Sequence, residues 1–418
     1  MSSLSQLAES LIGSEILKLG NEVSRRVQQG EKIFNYTIGD FDPDIFPIPA
    51  RLEELIIEAY KQKFTNYPPA DGVLELRNAV SQFMKHYGSV SYAPNEILIA
   101  SGGRPLVYAI FKTIVDKDDK VIYAVPSWNS NHYVAMNNGA HCVIDTFPEN
   151  NFMPTVADIE PHIKGAVMLC LCSPQNPTGT TLTKETLEKI CDLVLEENSR
   201  RTGKTKKLYV MFDQMYSLLT YDGIKHYNPV LLRPAMKEYT ISVDGISKSF
   251  AGTGVRVGWA LGPTHILAKM RSLLSHVGAW APMAEQKATA RFLLENEVID
   301  EYFAHFRSEL QERLVSIYKG FMRLKEKGLN VDCIAPQAAM YLTVKLDFVG
   351  KYADGKELHD QKDVTEYILN EAKLAIVPFY AFGAAKSSQW YRMSIGTCVK
   401  SQIPAMLAQL EAAINKLQ

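Results

Sequence analysis

Apolar positions along this chain fall into two rhythms. In the first they recur every three to four residues. Leu52, Leu55, Ile56 and Ala59 share one face of a segment from Arg51 to Phe64. Leu106, Val107, Ile110, Phe111, Ile114 and Val115 form a stripe on a segment from Arg104 to Val115. That spacing predicts helices with one buried face. Helical stretches are also predicted over residues 1–32, 74–87, 283–327, 363–373 and 402–417. In the second rhythm, short runs are apolar throughout: 96–100, 120–125, 141–146, 167–172, 208–212, 239–243 and 256–261. Continuous apolar runs are expected of strands covered on both faces. Helix-length segments separate them, which predicts an α/β fold with a mainly parallel sheet. Ligands of such sheets gather at the carboxyl ends of the strands.

The texture changes after residue 327. Strands predicted at 329–334, 339–346 and 374–378 alternate with the last two helices, and a short strand is predicted at 33–38. These imply a second, smaller α+β domain built from both chain ends. The expected division is 1–50 as an N-terminal arm and part of the small domain, 51–310 as the large domain, and 311–418 as the rest. The charged stretch Gly350–Lys362 is expected to be an exposed excursion.

Composition narrows the function classes. Among 418 residues, 46% are hydrophobic and 22% charged, as in ordinary globular proteins. A formal net charge of −1 favours neither nucleic acid nor an anionic membrane as partner. Apolar runs such as Ala166–Cys172 are too short to span a bilayer. The first residues lack the basic start and apolar block of a signal peptide. Six cysteines, with no CxxC pair, argue for reduced thiols, no metal and a cytoplasmic protein.

Candidate chemistry concentrates between Val243 and Gly262. Lys248 stands between Ser247 and Ser249, and Arg256 follows eight residues later across a loop containing Gly252 and Gly254. Desolvation and a second cation would lower the pKa of such a lysine, making it an amine able to form a Schiff base. A surface lysine in a Ser/Gly loop is the plainer account. Ser101-Gly102-Gly103-Arg104-Pro105 joins a strand to a helix. Its glycines admit a phosphate to the first helical N–H groups, and Arg104 can supply charge. Without the GxGxxG spacing, the loop also reads as an ordinary turn.

Pro174-Gln175-Asn176-Pro177-Thr178-Gly179 follows a buried strand, and its two prolines would hold the Asn176 amide in one direction. Asp213 closes another strand, with Tyr216 three residues on. Its carboxylate either caps the next turn or pairs with a protonated pyridine nitrogen. Trp128 offers a flat face for stacking, or else belongs to the core. Arg392 sits inside the apolar segment Trp390–Gly396 and needs an anion, either a substrate carboxylate or a protein one.

Taken in order, these segments resemble the class I/II pyridoxal-phosphate aminotransferases of fold type I, from Gly39 to Arg392. The most specific marks are Asn176-Pro177-Thr178-Gly179, the Asp213/Tyr216 pair, and the spacing of Ser247-Lys248 to Arg256. The resemblance implies pyridoxal 5'-phosphate as cofactor and a ping-pong exchange between an L-amino acid and a 2-oxo acid. It makes Lys248 the Schiff-base lysine and proton shuttle, Asp213 the pyridinium partner, and Asn176 with Tyr216 the pair on the ring oxygen. Trp128 becomes the stacking aromatic, and Gly102, Gly103, Arg104, Ser247 and Arg256 the phosphate cradle. Tyr67 corresponds to a tyrosine reaching the neighbouring subunit's phosphate, which implies a homodimer with shared sites. Gly39 and Arg392 correspond to contacts with the substrate α-carboxylate.

Three departures bear on cofactor affinity and specificity. Gly245 replaces a common phosphate-binding hydroxyl, Gly278–Pro282 replaces a frequent Ser/Thr-Asn-Pro segment, and Gln337–Tyr341 lacks a usual glycine. Trp280, Tyr341 and Phe46 hint at a large apolar substrate, whereas Arg104 suits a dicarboxylate. A C–S β-lyase would use the same Lys248, Asp213 and Arg392. A non-catalytic, cofactor-binding regulator would need an added DNA-binding module, for which residues 1–32 are too short and insufficiently basic.

Overall fold

The computed structural model describes residues 4–10, 15–128 and 130–418. A two-residue strand, β1 (Phe34–Asn35), precedes the central sheet. The seven sheet strands are β2 (Ile97–Ala100), β3 (Lys120–Val125), β4 (Ala140–Asp145), β5 (Ala166–Cys172), β6 (Tyr209–Asp213), β7 (Thr240–Gly245) and β8 (Gly258–Leu261). They pair in the order β2-β8-β7-β6-β5-β3-β4. Alternate residues feed two layers. Leu169, Leu171, Val210 and Phe212 enter one core, while Met168, Cys170, Met211 and Val243 enter the other. Full burial of each such side chain stabilises the fold by about 1.5–3 kcal/mol.

The sheet is mainly parallel, as expected: pairing is parallel from β4 through β7, and only β8 runs antiparallel, to both β2 and β7. Strand direction depends on the route of the connection and not on an apolar run, so the reversal of β8 carries no local signal. One expectation is corrected: β4 is an edge strand in which only Ile144 is buried, not one covered on both faces.

The remaining strands are β9 (Val331–Cys333), β10 (Tyr341–Leu346), β11 (Tyr352–Ala353), β12 (Lys356–Glu357), β13 (Leu374–Ala375), β14 (Val377–Pro378) and β15 (Trp390–Ser394). A four-stranded sheet, β14-β15-β10-β9, forms the smaller α+β unit. The run expected at 33–38 contributes only β1, paired in parallel with β13. The expected excursion contains the β11–β12 hairpin.

Of the helix expected over residues 1–32, the described parts are Gln6–Ser10 and Glu15–Gln28, and it ends at Gln28; residues 1–3 and 11–14 lie outside the described residues. The stretch at 283–327 divides into Met283–Phe292 and Asn296–Glu326. The second of these helices joins two cores. Ile299 and Phe303 pack with the central sheet, whereas Phe306, Leu310 and Leu314 pack with β10 and β15.

Candidate active site

The parallel strands all discharge their loops at one edge. Trp128 follows β3, Asn176 follows β5, Asp213 closes β6, and Lys248 follows β7. These residues line one cavity of about 550 Å³ together with Gly39, Gly103, Arg104, Tyr216, Ser247, Arg256 and Arg392. After β5, the 173–174 and 176–177 peptide bonds are both cis, and Thr343 Oγ1 donates to the Thr178 carbonyl at 2.9 Å. Gly179 has φ +70° and abuts the Tyr341 backbone, where a Cβ would not fit.

The antiparallel course of β8 assembles the other half of the site. Ala100 at the end of β2 lies beside Gly258 at the start of β8. Arg256 consequently meets the loop after β2, and its Nη2 donates to the Ser101 carbonyl at 2.7 Å. Its Nη1 donates to Thr253 O at 2.6 Å. Arg256 holds φ +64°, a left-handed conformation costing a side-chain-bearing residue about 1–3 kcal/mol. Gly102, with φ +85°, packs so closely on the Arg256 guanidinium that a Cβ there would overlap it.

Lys248 Nζ donates to the Gly39 carbonyl at 2.6 Å and lies 5.9 Å from the Phe41 ring centroid. Burial, followed by the Arg392, Arg104 and Arg256 charges, pushes the amine down to about 8 against the opposing pull of Asp40. Lining the cavity and bonded to Gly39, Lys248 is not a lysine of the outer surface. Burial raises the Asp213 carboxyl to about 6, although Oδ1 accepts the Met215 N–H at 3.0 Å. The capping role is thus real, and it occupies that oxygen. The Tyr216 and Tyr341 hydroxyls lie 2.6 Å apart, and burial pushes Tyr216 well above the ordinary phenol range.

Arg392 is 2% exposed. Nη1 donates to Asn176 Oδ1 at 3.1 Å, Nη2 donates to Thr37 O at 2.7 Å, and Nε is buried without a partner. Both bonds go to neutral oxygens, so the internal salt bridge is not what holds it. The guanidinium also lies 4.8 Å from the Tyr341 ring and 4.9 Å from the Phe382 ring.

The structure places the other expected residues as follows. The face of Trp128 is shared, for the exposed Arg104 guanidinium stands 4.8 Å from its ring centroid. Gly102 touches Arg256 and does not line the cavity. Tyr67 is 82% exposed and packs edge-on against Trp280 at 5.3 Å in a separate groove. Phe46 is buried with Phe41 and Phe306, so it cannot shape a substrate pocket.

Sequence reasoning missed several cavity residues. Asp40 Oδ1 accepts from Thr253 Oγ1 at 2.6 Å, tying the segment after β1 to the lysine loop. The acidic residue beside Gly39 was a visible signal. Ile16, Leu17, Gly20 and Asn21, from the helix Glu15–Gln28, also line the cavity, and no motif marked them.

Residues 31–410 match the family described as aminotransferase class I and II. The chain belongs to that family. This aminotransferase is 29% identical over 421 residues to a probable aspartate/prephenate aminotransferase of Rickettsia typhi, covering 100% of both chains. The aspartate aminotransferase structure from Rhizobium meliloti shares the fold, with TM-score 0.90, 24% identity and 100% coverage of both chains. An aromatic aminotransferase structure from Pyrococcus horikoshii OT3 is 27% identical with TM-score 0.82, covering 94% of this aminotransferase and 99% of that chain. The protein is thus a pyridoxal-phosphate-dependent aminotransferase, and it acts on amino acids and 2-oxo acids. Among the described residues, no helix is long and apolar enough to cross a membrane.

Proposed function

We propose that Lys248 carries the cofactor and moves the proton during exchange between a dicarboxylic amino acid and a 2-oxo acid. The observation that carries this reading is the half-buried Lys248 amine, which lines the cavity and donates to a backbone carbonyl; its surroundings push it down to about 8. Roughly a tenth of such a group is free base at pH 7. The surrounding residues fit pyridoxal 5'-phosphate. Gly103, Ser247 and Arg256 would hold the phosphate, with Gly102 leaving room for the Arg256 guanidinium, Asp213 the ring nitrogen, Asn176 and Tyr216 the ring oxygen, and Trp128 one ring face. Bound there, the cofactor supplies an aldehyde for the amino group and a ring that withdraws electrons from the adjacent carbon.

The chain's own side chains then divide the work. Arg392, with a buried and unpartnered Nε, holds the α-carboxylate beside Gly39. Lys248 takes the α-proton as a base and returns it to the neighbouring carbon. Arg104, exposed in the cavity, meets a second carboxylate, in keeping with the aspartate named for the Rickettsia typhi relative. The experiment is a panel of amino donors against 2-oxoglutarate, oxaloacetate and pyruvate, followed by cofactor absorbance. Aspartate and glutamate should be converted best. Conversion of phenylalanine but neither acid would refute the dicarboxylate assignment.

The exposed Tyr67 fits a role outside its own subunit, and a homodimer with shared sites is part of this proposal. Six free cysteines accord with a cytoplasmic setting.

A further inference from the structure

Behind the cavity lies a carboxylate that the proposed chemistry does not use. Asp244, near the end of β7, is 3% exposed. Oδ2 accepts from Gln214 Nε2 at 3.1 Å and from Ser217 Oγ at 3.2 Å. Oδ1 accepts the Gly245 N–H at 2.7 Å. All three donors are neutral, although a buried carboxylate is ordinarily held by a cation. Each donor adjoins a residue assigned to chemistry or begins its loop. Gln214 follows Asp213, Ser217 follows Tyr216, and Gly245 precedes the helix Ile246–Ser249 that carries Lys248.

We propose that Asp244 is a positioning residue, tying the loop of Asp213 and Tyr216 to the loop of Lys248. The network closes on itself. Gln214 Oε1 accepts from Asn228 Nδ2 at 2.6 Å, and Asn228 Nδ2 reaches Ser242 Oγ at 3.3 Å, on the same strand as Asp244. A carboxylate suits the junction because it only accepts, and three donors converge on it. Burial pushes Asp244 up to about 7, and its hydrogen bonds pull the other way. Losing the donors would therefore favour the protonated form, which gives up an acceptor and loosens the junction further. Both loops hold groups that must keep a fixed spacing across the cofactor ring, so a small displacement would slow proton transfer more than it weakens substrate binding.

The inference rests on the roles proposed for Lys248 and Asp213, and its test has one arm that does not. In cofactor-free protein, Asp244→Ala should raise amide exchange at least tenfold in residues 213–217 and 245–248, leaving β3 and β5 unchanged. In holoenzyme the same variant should lower kcat ten- to hundredfold with KM within threefold. The absorbance titration of the lysine–cofactor bond should shift upward in pH, because a loosened Lys248 escapes part of its desolvation. Asp244→Asn keeps one acceptor oxygen but turns its amide N–H2 toward a donor, so it should restore at most part of the protection and rate. Ser217→Ala removes one donor and should give the same pattern at two- to fivefold, which keeps the test open if Asp244→Ala fails to fold. Unchanged exchange in both loops, unchanged kcat in a loosened protein, or an Asn variant with full wild-type protection and rate would each overturn the proposal. If exchange rises as expected but Lys248→Ala retains activity, the tie stands and the catalytic reading falls.

Discussion

Arg392 Nη1 donates to Asn176 Oδ1 at 3.1 Å, so a strand of the smaller sheet grips a loop of the central one. The same guanidinium keeps a buried, unpartnered Nε. Arg392→Lys retains a charge but loses the planar fork. Loss of one charge-assisted hydrogen bond, about 1.5–3 kcal/mol, corresponds to a fall of roughly 10- to 150-fold in kcat/KM. Steady-state kinetics with amino and oxo substrates should show that fall in both half-reactions. A normal value in either half-reaction would argue against α-carboxylate binding there.

Lys248→Ala should abolish turnover and the visible absorbance of the lysine–cofactor bond while leaving the fold intact. The pH dependence of cofactor-free stability provides a separate check. The folded amine titrates at about 8, below its ordinary value, so between those values the unfolded chain binds more protons than the folded one. Stability of the wild type should therefore rise across that window. Lys248→Met, lacking the group, should melt higher than wild type at pH 7, with the advantage shrinking as the pH approaches 10. An advantage independent of pH would mean the amine is not desolvated.

Asp213 carries the opposite sign. Its carboxyl is raised to about 6, so the folded protein holds the proton longer and loses stability as pH climbs from about 4 to 6. Asp213→Asn should stabilise the cofactor-free protein above pH 6 and do little below pH 4, as read by thermal melts. Its turnover should nevertheless fall at least ~100-fold, since a neutral amide cannot keep a pyridine nitrogen protonated. Near-normal kcat in this variant would remove Asp213 from the ring nitrogen.

Tyr67 can be tested by complementation. Tyr67→Ala and Lys248→Ala, each impaired alone, should recover activity on subunit exchange. With random pairing, one site in half of the dimers is intact, giving roughly a quarter of wild-type activity. No recovery under conditions in which subunits demonstrably exchange would place Tyr67 outside any shared site.

Much of this arrangement is legible in the sequence. Lys248, Asp213, Asn176 and Trp128 each follow or close an apolar run, and strand ends in a parallel sheet converge on one edge. Local pattern sufficed because burial on both faces leaves a continuous apolar signature. Phe46 misled for the converse reason. An aromatic ring reads the same whether it lines a pocket or packs in a core, as Phe46 does.

The amino-acid order by itself determined the succession of elements, the residue types at the strand ends, and hence the kind of chemistry. Only the tertiary structure decided that β8 runs antiparallel, which brings Arg256 onto Gly102 and Ser101. It alone set Arg392 against Asn176, Asp40 against Thr253, and the Glu15–Gln28 helix along the cavity. These contacts join positions far apart in the chain, and their partners are chosen by strand direction and packing, which no local run of residues encodes.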